Sequence, residues 1–478
     1  MKVVLNKIEF SRDIHKVVNI FYPNEKIEFH ETCEDFDFKL DIKNDKIICE
    51  FPKKEKFHEY FIEESSIVRA LQRSVYLFFS DITGIEPPYG FLIGIRPSKI
   101  ALDLIKKGYN KEQIITYYEH RYLTSREKAE LCYGTALLES NYITENKNKV
   151  SVYIGMPFCP TRCSYCSFAS NPIKSMSNLV KPYLKALEHE IQVISKYLKD
   201  KNLKVQCIYF GGGTPTSVSE VEFEYIMKVI HENIYKHHEI EEYTVECGRP
   251  DSITEAKLLT MKSYGVHRIS INPQTMNDGT LKRIGRGHDV KEVTEKFNLA
   301  RSLGFDNINM DMIVGLLEES VEEINITCKE ILKLQPENLT VHGMSLKRAS
   351  ILHEEHLYNP EDNFVKQRTE TNRMYDTTRT LASDLSMKPY YMYRQKNMVG
   401  NMENIGYCKE GKECIYNILM IEEKQTIIAF GADAISKIVD FENKSIERCA
   451  NVKDVKLYID RVDEMIKHKV DSLDRIYG

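Results

Sequence analysis

The sequence predicts an α/β protein in which six βα units form an open or closed barrel, with an α+β domain before it and a C-terminal extension after it. Three observations predict this. Apolar strand candidates alternate with amphipathic helices between about residues 150 and 350, which argues for a parallel sheet with helices packed outside it. Short β-like runs followed by helical patterns precede that span, and beyond it the regularity ends. At 478 residues and 42% hydrophobic content, the chain is long enough for two or three domains with sizeable cores.

The elements follow in order. Lys26–His30, Phe36–Leu40 and Lys46–Cys49 are short β runs between polar turns and predict a small meander. Ile67, Leu71, Val75, Leu77 and Phe78 put apolar groups on one helical face before a turn at Thr83-Gly84. The stretch Pro87 to Ser98, with Gly90, Gly94 and Pro97, reads as a loop into another helix. The charged run Thr144 to Lys149 marks a boundary, so residues 1–147 are assigned to an N-terminal α+β domain of unknown role. The barrel is assigned to 148–350. Its strand candidates are Val150 to Ile154, Val205 to Phe210, Tyr243 to Val245, Arg268 to Ile271, Ile308 to Ile313 and Leu339 to Val341. Between the first two, Leu184, Leu187, Ile191, Ile194 and Leu198 recur at helical spacing. Residues 351–478, with Tyr390 to Gln395 and the strand-like Thr426 to Phe430, are expected to form an extension that could serve as a substrate lid.

Composition excludes some classes. With 71 acidic against 66 basic residues and a formal net charge of -5, nothing pulls the whole chain toward nucleic acid or an anionic membrane. No run of about 18 apolar residues occurs, and the charged N-terminus does not resemble a secretory signal. A cytoplasmic protein with neither a nucleic-acid nor a membrane partner is therefore expected. Three of the twelve cysteines sit within eight residues. The scattered remainder read as reduced thiols.

Those three are Cys159, Cys163 and Cys166, in a loop directly after the first barrel strand. The spacing C-x3-C-x2-C lets one loop wrap three thiolates around an iron–sulfur cube and leaves one iron open to a small molecule. A closed structural zinc site would want a fourth protein ligand, and no further cysteine or histidine lies nearby. After the second strand comes Gly211-Gly212-Gly213-Thr214, whose glycines let backbone approach a ligand closely. It is not a Walker loop, since no Lys-Ser or Lys-Thr follows. Glu246 ends the third strand, where a carboxylate suits a ribose diol, although a solvated loop glutamate would look the same. Gln274 and Arg286 follow the fourth strand, and Arg286 could fork onto a carboxylate. Asp311 lies inside an apolar strand and should be paired or ligand-bound, with core pairing to Lys or Arg as the plain alternative.

The cysteine spacing, with aromatic Tyr165 before the third cysteine, resembles the signature of the radical S-adenosylmethionine superfamily. The expected fold is thereby a partial (βα)6 radical-SAM barrel holding a [4Fe–4S] cluster and S-adenosylmethionine. The series Tyr153, the three cysteines, Gly212-Gly213-Thr214, Glu246, Gln274, Arg286 and Asp311 is similar to that of the oxygen-independent coproporphyrinogen III oxidases. Gly94-Ile95-Arg96-Pro97, Gly248 to Ser252 and Tyr393 to Met398 resemble their longer, HemZ-like branch. The resemblance implies oxidative decarboxylation of coproporphyrinogen III propionates to vinyl groups, giving protoporphyrinogen IX, through a 5′-deoxyadenosyl radical. It implies two cofactor molecules, with contacts from Tyr153, Tyr165, Gly212, Gly213, Thr214, Glu246, Gln274, Arg286, Asp311, Ser345 and Ile435, and chemistry carried by cluster and cofactor with no protein group singled out as catalytic. A tetrapyrrole substrate and a low-potential donor such as flavodoxin or ferredoxin are the implied partners. Arg394 and Lys396 are the candidate grips for substrate carboxylates.

One position departs from the main branch, which has a further cysteine where Phe168 stands. A related branch of haem chaperones has phenylalanine there, but also a C-terminal motif containing Trp, and this chain has no Trp. A haem chaperone, or a radical methyltransferase or ring-opening enzyme acting on haem, are the alternatives.

Overall fold

The computed structural model describes every residue except 24, 65, 167–169, 345–367 and 396–401, with backbone alone at 368 and 369. The chain divides into two compact units. The first is Met1–Ala136 with Arg394–Met402, and the second is Leu137–Tyr393 with Glu403–Gly478.

The first unit holds β1 (Lys2–Leu5), β2 (Glu28–His30), β3 (Phe38–Ile42), β4 (Lys46–Phe51) and β5 (Lys56–Phe61) in the order β2-β1-β3-β4-β5. The expected meander is thus only the β3-β4-β5 half. β1 enters between β2 and β3 and runs parallel to both, and nothing in so short an N-terminal run announces where it will pair. Helices Ser11–Phe21 and Ile67–Thr83 supply Ile14, Val17, Leu71, Val75 and Phe79 to one buried core with Val3, Phe38, Leu40 and Ile47. The second helix stops at Gly84, whose φ of 67° is the left-handed conformation that a glycine adopts without strain.

Among the described residues the second unit is built on one sheet of eleven strands. Its parallel centre is β6 (Lys149–Met156), β9 (Lys204–Gly212), β10 (Glu242–Glu246), β11 (Arg268–Ser270), β12 (Ile308–Val314) and β13 (Asn338–Gly343), paired in sequence order. β7 (Phe158–Cys159) and β8 (Asn171–Pro172) form a separate small pair. Helices Ile173–Asp200, Glu220–Asn233, Glu255–Ser263, Val290–Ser302 and Val321–Leu334 connect the central strands. These are the six expected βα strands, and no strand of the series is misassigned.

Two boundaries differ from expectation. Leu138, Tyr142 and Ile143 pack on an aromatic cluster that includes Tyr209 and Tyr416, so the units divide at Ala136 rather than at the polar run near 147. The segment 351–478 does not form a unit of its own. β14 (Lys388–Tyr393) and β15 (Asn404–Cys408) extend the sheet beyond β13, while β16 (Thr426–Phe430) pairs parallel with β6 and continues to β17 (Ile435–Asp440) and β18 (Ser445–Ala450). The physical reason is that a parallel sheet leaves unpaired N–H and C=O groups on both edges, and these strands cover them.

The two faces of the sheet differ in chemistry. The register row Ile154, Phe210, Val245, Ile269 and Ile308 is apolar, and on that side Phe210 stacks on Phe223 of helix Glu220–Asn233. The neighbouring rows are polar: Tyr153, Tyr209, Thr244 and Arg268, then Glu246, Ser270, Asn309 and Asn338. Helix Ile415–Glu422 covers part of this polar face. Its Tyr416 ring lies 4.4 Å from that of Tyr209, and the Glu242 carboxylate accepts the N–H groups of Ile415 at 2.6 Å and Tyr416 at 3.2 Å, where the positive end of the helix dipole favours an anion.

Candidate active site

The candidate site is assembled from loops at the C-terminal ends of the parallel strands, beginning with the cysteine loop. Asn171 N–H and side chain both donate to Pro157 O at 2.9 Å. The β7–β8 pair therefore closes the ends of a loop that presents Cys163 and Cys166, with Cys159 at its base. Inside it Cys166 N–H donates to Cys163 O at 3.1 Å.

Three other loops hold this one in place. From β9, Gly213 N–H donates to Met156 O at 2.6 Å and Thr214 N–H to Phe158 O at 2.8 Å. This crossing needs glycine: Gly212 sits at φ 103°, and a Cβ on Gly213 would lie 2.6 Å from Phe158 O and 2.9 Å from Cys159 Sγ. After β11, Ile284 O accepts Ser164 N–H at 3.1 Å and Gly285 O accepts the Thr161 hydroxyl at 3.0 Å. From the loop after β10, Arg249 reaches Thr161 Oγ1 at 3.0 Å.

The thiols suit a cluster in chemistry and surroundings. Burial pushes the Cys159 thiol up to about 12, and the other two cysteines push it the same way, so the deprotonation a cluster ligand requires must come from the iron it binds. Thr214 Oγ1 donates toward Cys159 Sγ at 3.5 Å and Arg249 Nη1 toward Cys163 Sγ at 3.7 Å, donors of the kind that support sulfur ligands. Among the described residues no three His, Cys, Asp or Glu side chains form a group able to hold a single metal ion. The loop carries three soft sulfur donors, the ligand type that iron–sulfur clusters take.

Beside the loop, two carboxyls share the polar face. Glu246 accepts the Tyr209 hydroxyl, and Gly211 lies so close that a Cβ would meet Glu246 Oε2 at 2.8 Å. Burial raises the Glu246 carboxyl to about 7, outweighing that hydrogen bond, and the negative Asp311 raises it further. Asp311 is held the other way: burial would raise it, yet His342, Asn309 and Thr340 together keep it below the usual carboxylate range. Asn309 Nδ2 donates to Asp311 Oδ1 at 2.7 Å, and His342 Nε2 lies 3.6 Å from Oδ2. Among the described residues Asp311 is thus paired with Asn309 and His342, and with no Lys or Arg. Gln274 sits at φ 68°, bonded through its backbone to Asp311 and Ile313. Its side-chain Oε1 is buried without a donor among the described residues, which leaves an acceptor for a ligand.

A family model for the radical SAM superfamily matches residues 153–331. An oxygen-independent coproporphyrinogen-III oxidase-like protein HemZ of Bacillus subtilis is 42% identical over 399 residues, 83% of this chain and 79% of that one. The chain belongs to the HemZ-like branch of the radical SAM superfamily. Its cofactors are a [4Fe–4S] cluster and S-adenosylmethionine. The haem chaperone HemW of B. subtilis is 30% identical over 314 residues, 66% of this chain and 76% of that protein. The solved coproporphyrinogen III oxidase HemN of Escherichia coli shares the fold, with TM-score 0.52 and 20% identity over 69% of this chain and 73% of that one.

Within this HemZ-like chain the expected site residues fall into groups. Gly213 and Thr214 pack on Cys159, Gly212 crosses Met156, and Cys163 and Cys166 are joined through the backbone. Tyr153 stacks at 6.2 Å on Tyr209, the hydroxyl partner of Glu246. Arg286 donates to Tyr165 Oη at 2.9 Å, Gly248 O at 2.9 Å and Asn272 O at 2.6 Å, and among the described residues no protein carboxylate accepts from it. These acceptors surround it because three loops meet at its position, and Tyr165 becomes its partner. Ile435 opens β17 and is 48% exposed. The same turn brings Gly431 against Gly155, where a Cβ would lie 2.7 Å from Gly155 O. Ser345 and Lys396 lie outside the described residues, as does Phe168. Arg394 is buried in the first unit, 4.5 Å over the Tyr89 ring and donating to Leu92 O at 2.6 Å, so its guanidinium is committed to the fold and is not a free grip for a substrate.

Arg249, Asp251 and His342 were missed as site residues. The motif Gly248 to Ser252, which holds the first two, is visible as a resemblance, but the contact of Arg249 with Cys163 spans 86 residues and has no local signal. His342 reads as one polar residue in an apolar strand until β12 places Asp311 beside it.

Proposed function

We propose that the chain catalyses the oxygen-independent oxidative decarboxylation of two coproporphyrinogen III propionates to vinyl groups, giving protoporphyrinogen IX for haem synthesis. The observation that carries this reading is the extent of the HemZ match: 399 residues at 42% identity, against 314 residues at 30% for the chaperone. When bound, the cluster and S-adenosylmethionine supply the 5′-deoxyadenosyl radical that takes a hydrogen from the substrate.

The protein's own residues bind, orient and shield. Cys159, Cys163 and Cys166 would hold the cluster, and Gly212 to Thr214 would lay backbone against the methionyl group. Glu246 would accept hydrogen bonds from the ribose, for which its proton must leave. Gln274 Oε1 offers a second acceptor, and Asp311 would bind a further cofactor molecule. Arg286 supports this set indirectly by fastening Tyr165 to the loops after β10 and β11. Tyr391 and Tyr393 lie near Asp311, where their faces suit pyrrole rings, and His342 is the candidate hydrogen-bond donor to a propionate in place of Arg394. A flavodoxin- or ferredoxin-like protein would deliver electrons. Among the described residues no helix is long and apolar enough to cross a membrane.

The specific observation favouring a second reading, a haem chaperone, is the chaperone relative at 30% identity. Anaerobic turnover of the reconstituted protein with coproporphyrinogen III, S-adenosylmethionine and dithionite separates them. Deoxyadenosine formed together with a vinyl-bearing porphyrinogen lighter by two carbon dioxides and four hydrogen atoms supports the oxidase. Haem binding, with deoxyadenosine formed at one slow rate with or without coproporphyrinogen, overturns it.

A further inference from the structure

Arg249 has no part in the reading above, yet it touches a cluster cysteine. It is 4% exposed. Its Nε and Nη2 donate to the two oxygens of Asp251 at 3.0 and 2.8 Å, and this fork fixes the guanidinium plane. The third nitrogen, Nη1, is thereby aimed at the cysteine loop, at 3.0 Å from Thr161 Oγ1 and 3.7 Å from Cys163 Sγ. Gly287 makes room for the pair, since a Cβ there would lie 3.2 Å from Asp251 Oδ2 and 3.4 Å from Arg249 Nη2.

We propose that Arg249 tunes the cluster: its N–H···S contact with Cys163 raises the reduction potential of the [4Fe–4S] centre, and Asp251 limits how much of the guanidinium charge the cluster feels. The step affected is entry of one electron from a low-potential donor into the cluster, with no bond made or broken in the protein. The reduced cluster carries one more negative charge, shared with its thiolate sulfurs. A cation that donates to one of those sulfurs stabilises the reduced form more than the oxidised form. Burial strengthens the effect by keeping solvent screening away. The arrangement makes a cluster ordinarily hard to reduce accessible to a weaker donor, whatever the substrate is.

The competing role is mechanical, with Arg249 merely tying the loop through Thr161. Potentiometric titration with dithionite, followed by electron paramagnetic resonance on the full-length reconstituted protein, separates the two, with iron content and Tm measured alongside. Arg249→Gln is expected to shift the reduction equilibrium at least tenfold toward the oxidised cluster, about 59 mV lower for a one-electron couple. Asp251→Asn should shift it the opposite way, because the guanidinium stays and its counter-charge goes. Thr161→Val, which removes the hydroxyl's bonds to Arg249 and Gly285 while leaving the guanidinium in place, should leave the potential where it was. An unchanged potential in a fully loaded Arg249→Gln protein overturns the proposal. Should that variant not load four irons, Asp251→Asn decides: a raised potential supports tuning and an unchanged one overturns it. Loss of iron from both variants with Tm preserved also overturns it, in favour of the mechanical role.

Discussion

Glu246 shows how a residue's surroundings set its charge. Its carboxyl, ordinarily near 4.5, is raised to about 7 by burial and by Asp311, against the pull of Tyr209, Arg268 and His342. A raised carboxyl holds its proton more tightly in the folded chain than in the unfolded one. Stability from this group is therefore fully present below about pH 4.5 and is lost as pH rises toward 7. Asp311 moves the opposite way and acts only below the ordinary carboxylate range, so the two windows do not overlap. In the absence of cofactor, Glu246→Gln should gain stability over the wild type on going from pH 4.5 to 8, by an order of about 3 kcal/mol. Urea titrations of both proteins at the two pH values measure it, and a constant difference would mean the carboxyl titrates normally. Cofactor binding should in turn release a proton near pH 6 if Glu246 binds the ribose as a carboxylate.

At the scale of elements, the C-terminal helix Val462–Tyr477 is tied to the site by a buried ion pair. Lys469 and Glu190 have fully buried side chains 2.5 Å apart. Glu190 also accepts Gly431 N–H at 2.8 Å, Tyr458 Oη at 2.7 Å and Asn451 Nδ2 at 2.9 Å. Its helix, Ile173–Asp200, follows the cysteine loop directly, so one carboxylate joins that helix, the turn after β16 and the last helix. Removing one partner leaves the other charge buried and alone. Lys469→Met should cost about 3–5 kcal/mol, and adding Glu190→Gln should recover part of that loss. Chemical denaturation checks both, and a loss below about 1 kcal/mol would mean water reaches the pair.

At the scale of the whole molecule, the end of the chain is framework rather than a lid. β16 pairs with β6, the strand that leads into the cysteine loop, and β15 pairs with β13. Helix Ile415–Glu422 fills the polar face beneath Glu246, placing Tyr416 beside Tyr153 and Tyr209. A chain ended after Tyr393 should therefore lose cooperative unfolding and be digested throughout by low protease. A dispensable lid would leave 1–393 folded with a normal melting transition. Circular dichroism during heating, together with limited proteolysis, distinguishes them.

The sequence alone determined what rests on local spacing and periodicity. Cys159, Cys163 and Cys166 lie within one loop, so their order declares the cluster without knowledge of the fold. The six βα strands were legible because each is a short apolar run between helices of 3.6-residue period. Gly212 and Gly213 were recognisable as glycines at a strand end, though what they make room for, Met156 and Cys159, was not. Contacts between distant segments were decided only by the tertiary structure. Arg249 meets Cys163, Asp311 meets His342, and Arg394 is spent on Tyr89, because the sheet order and the return of the chain bring them together. The role of 351–478 was hidden for the same reason. A strand's sequence records how much of it is buried, while its neighbour is chosen by which sheet edge still has unpaired backbone groups.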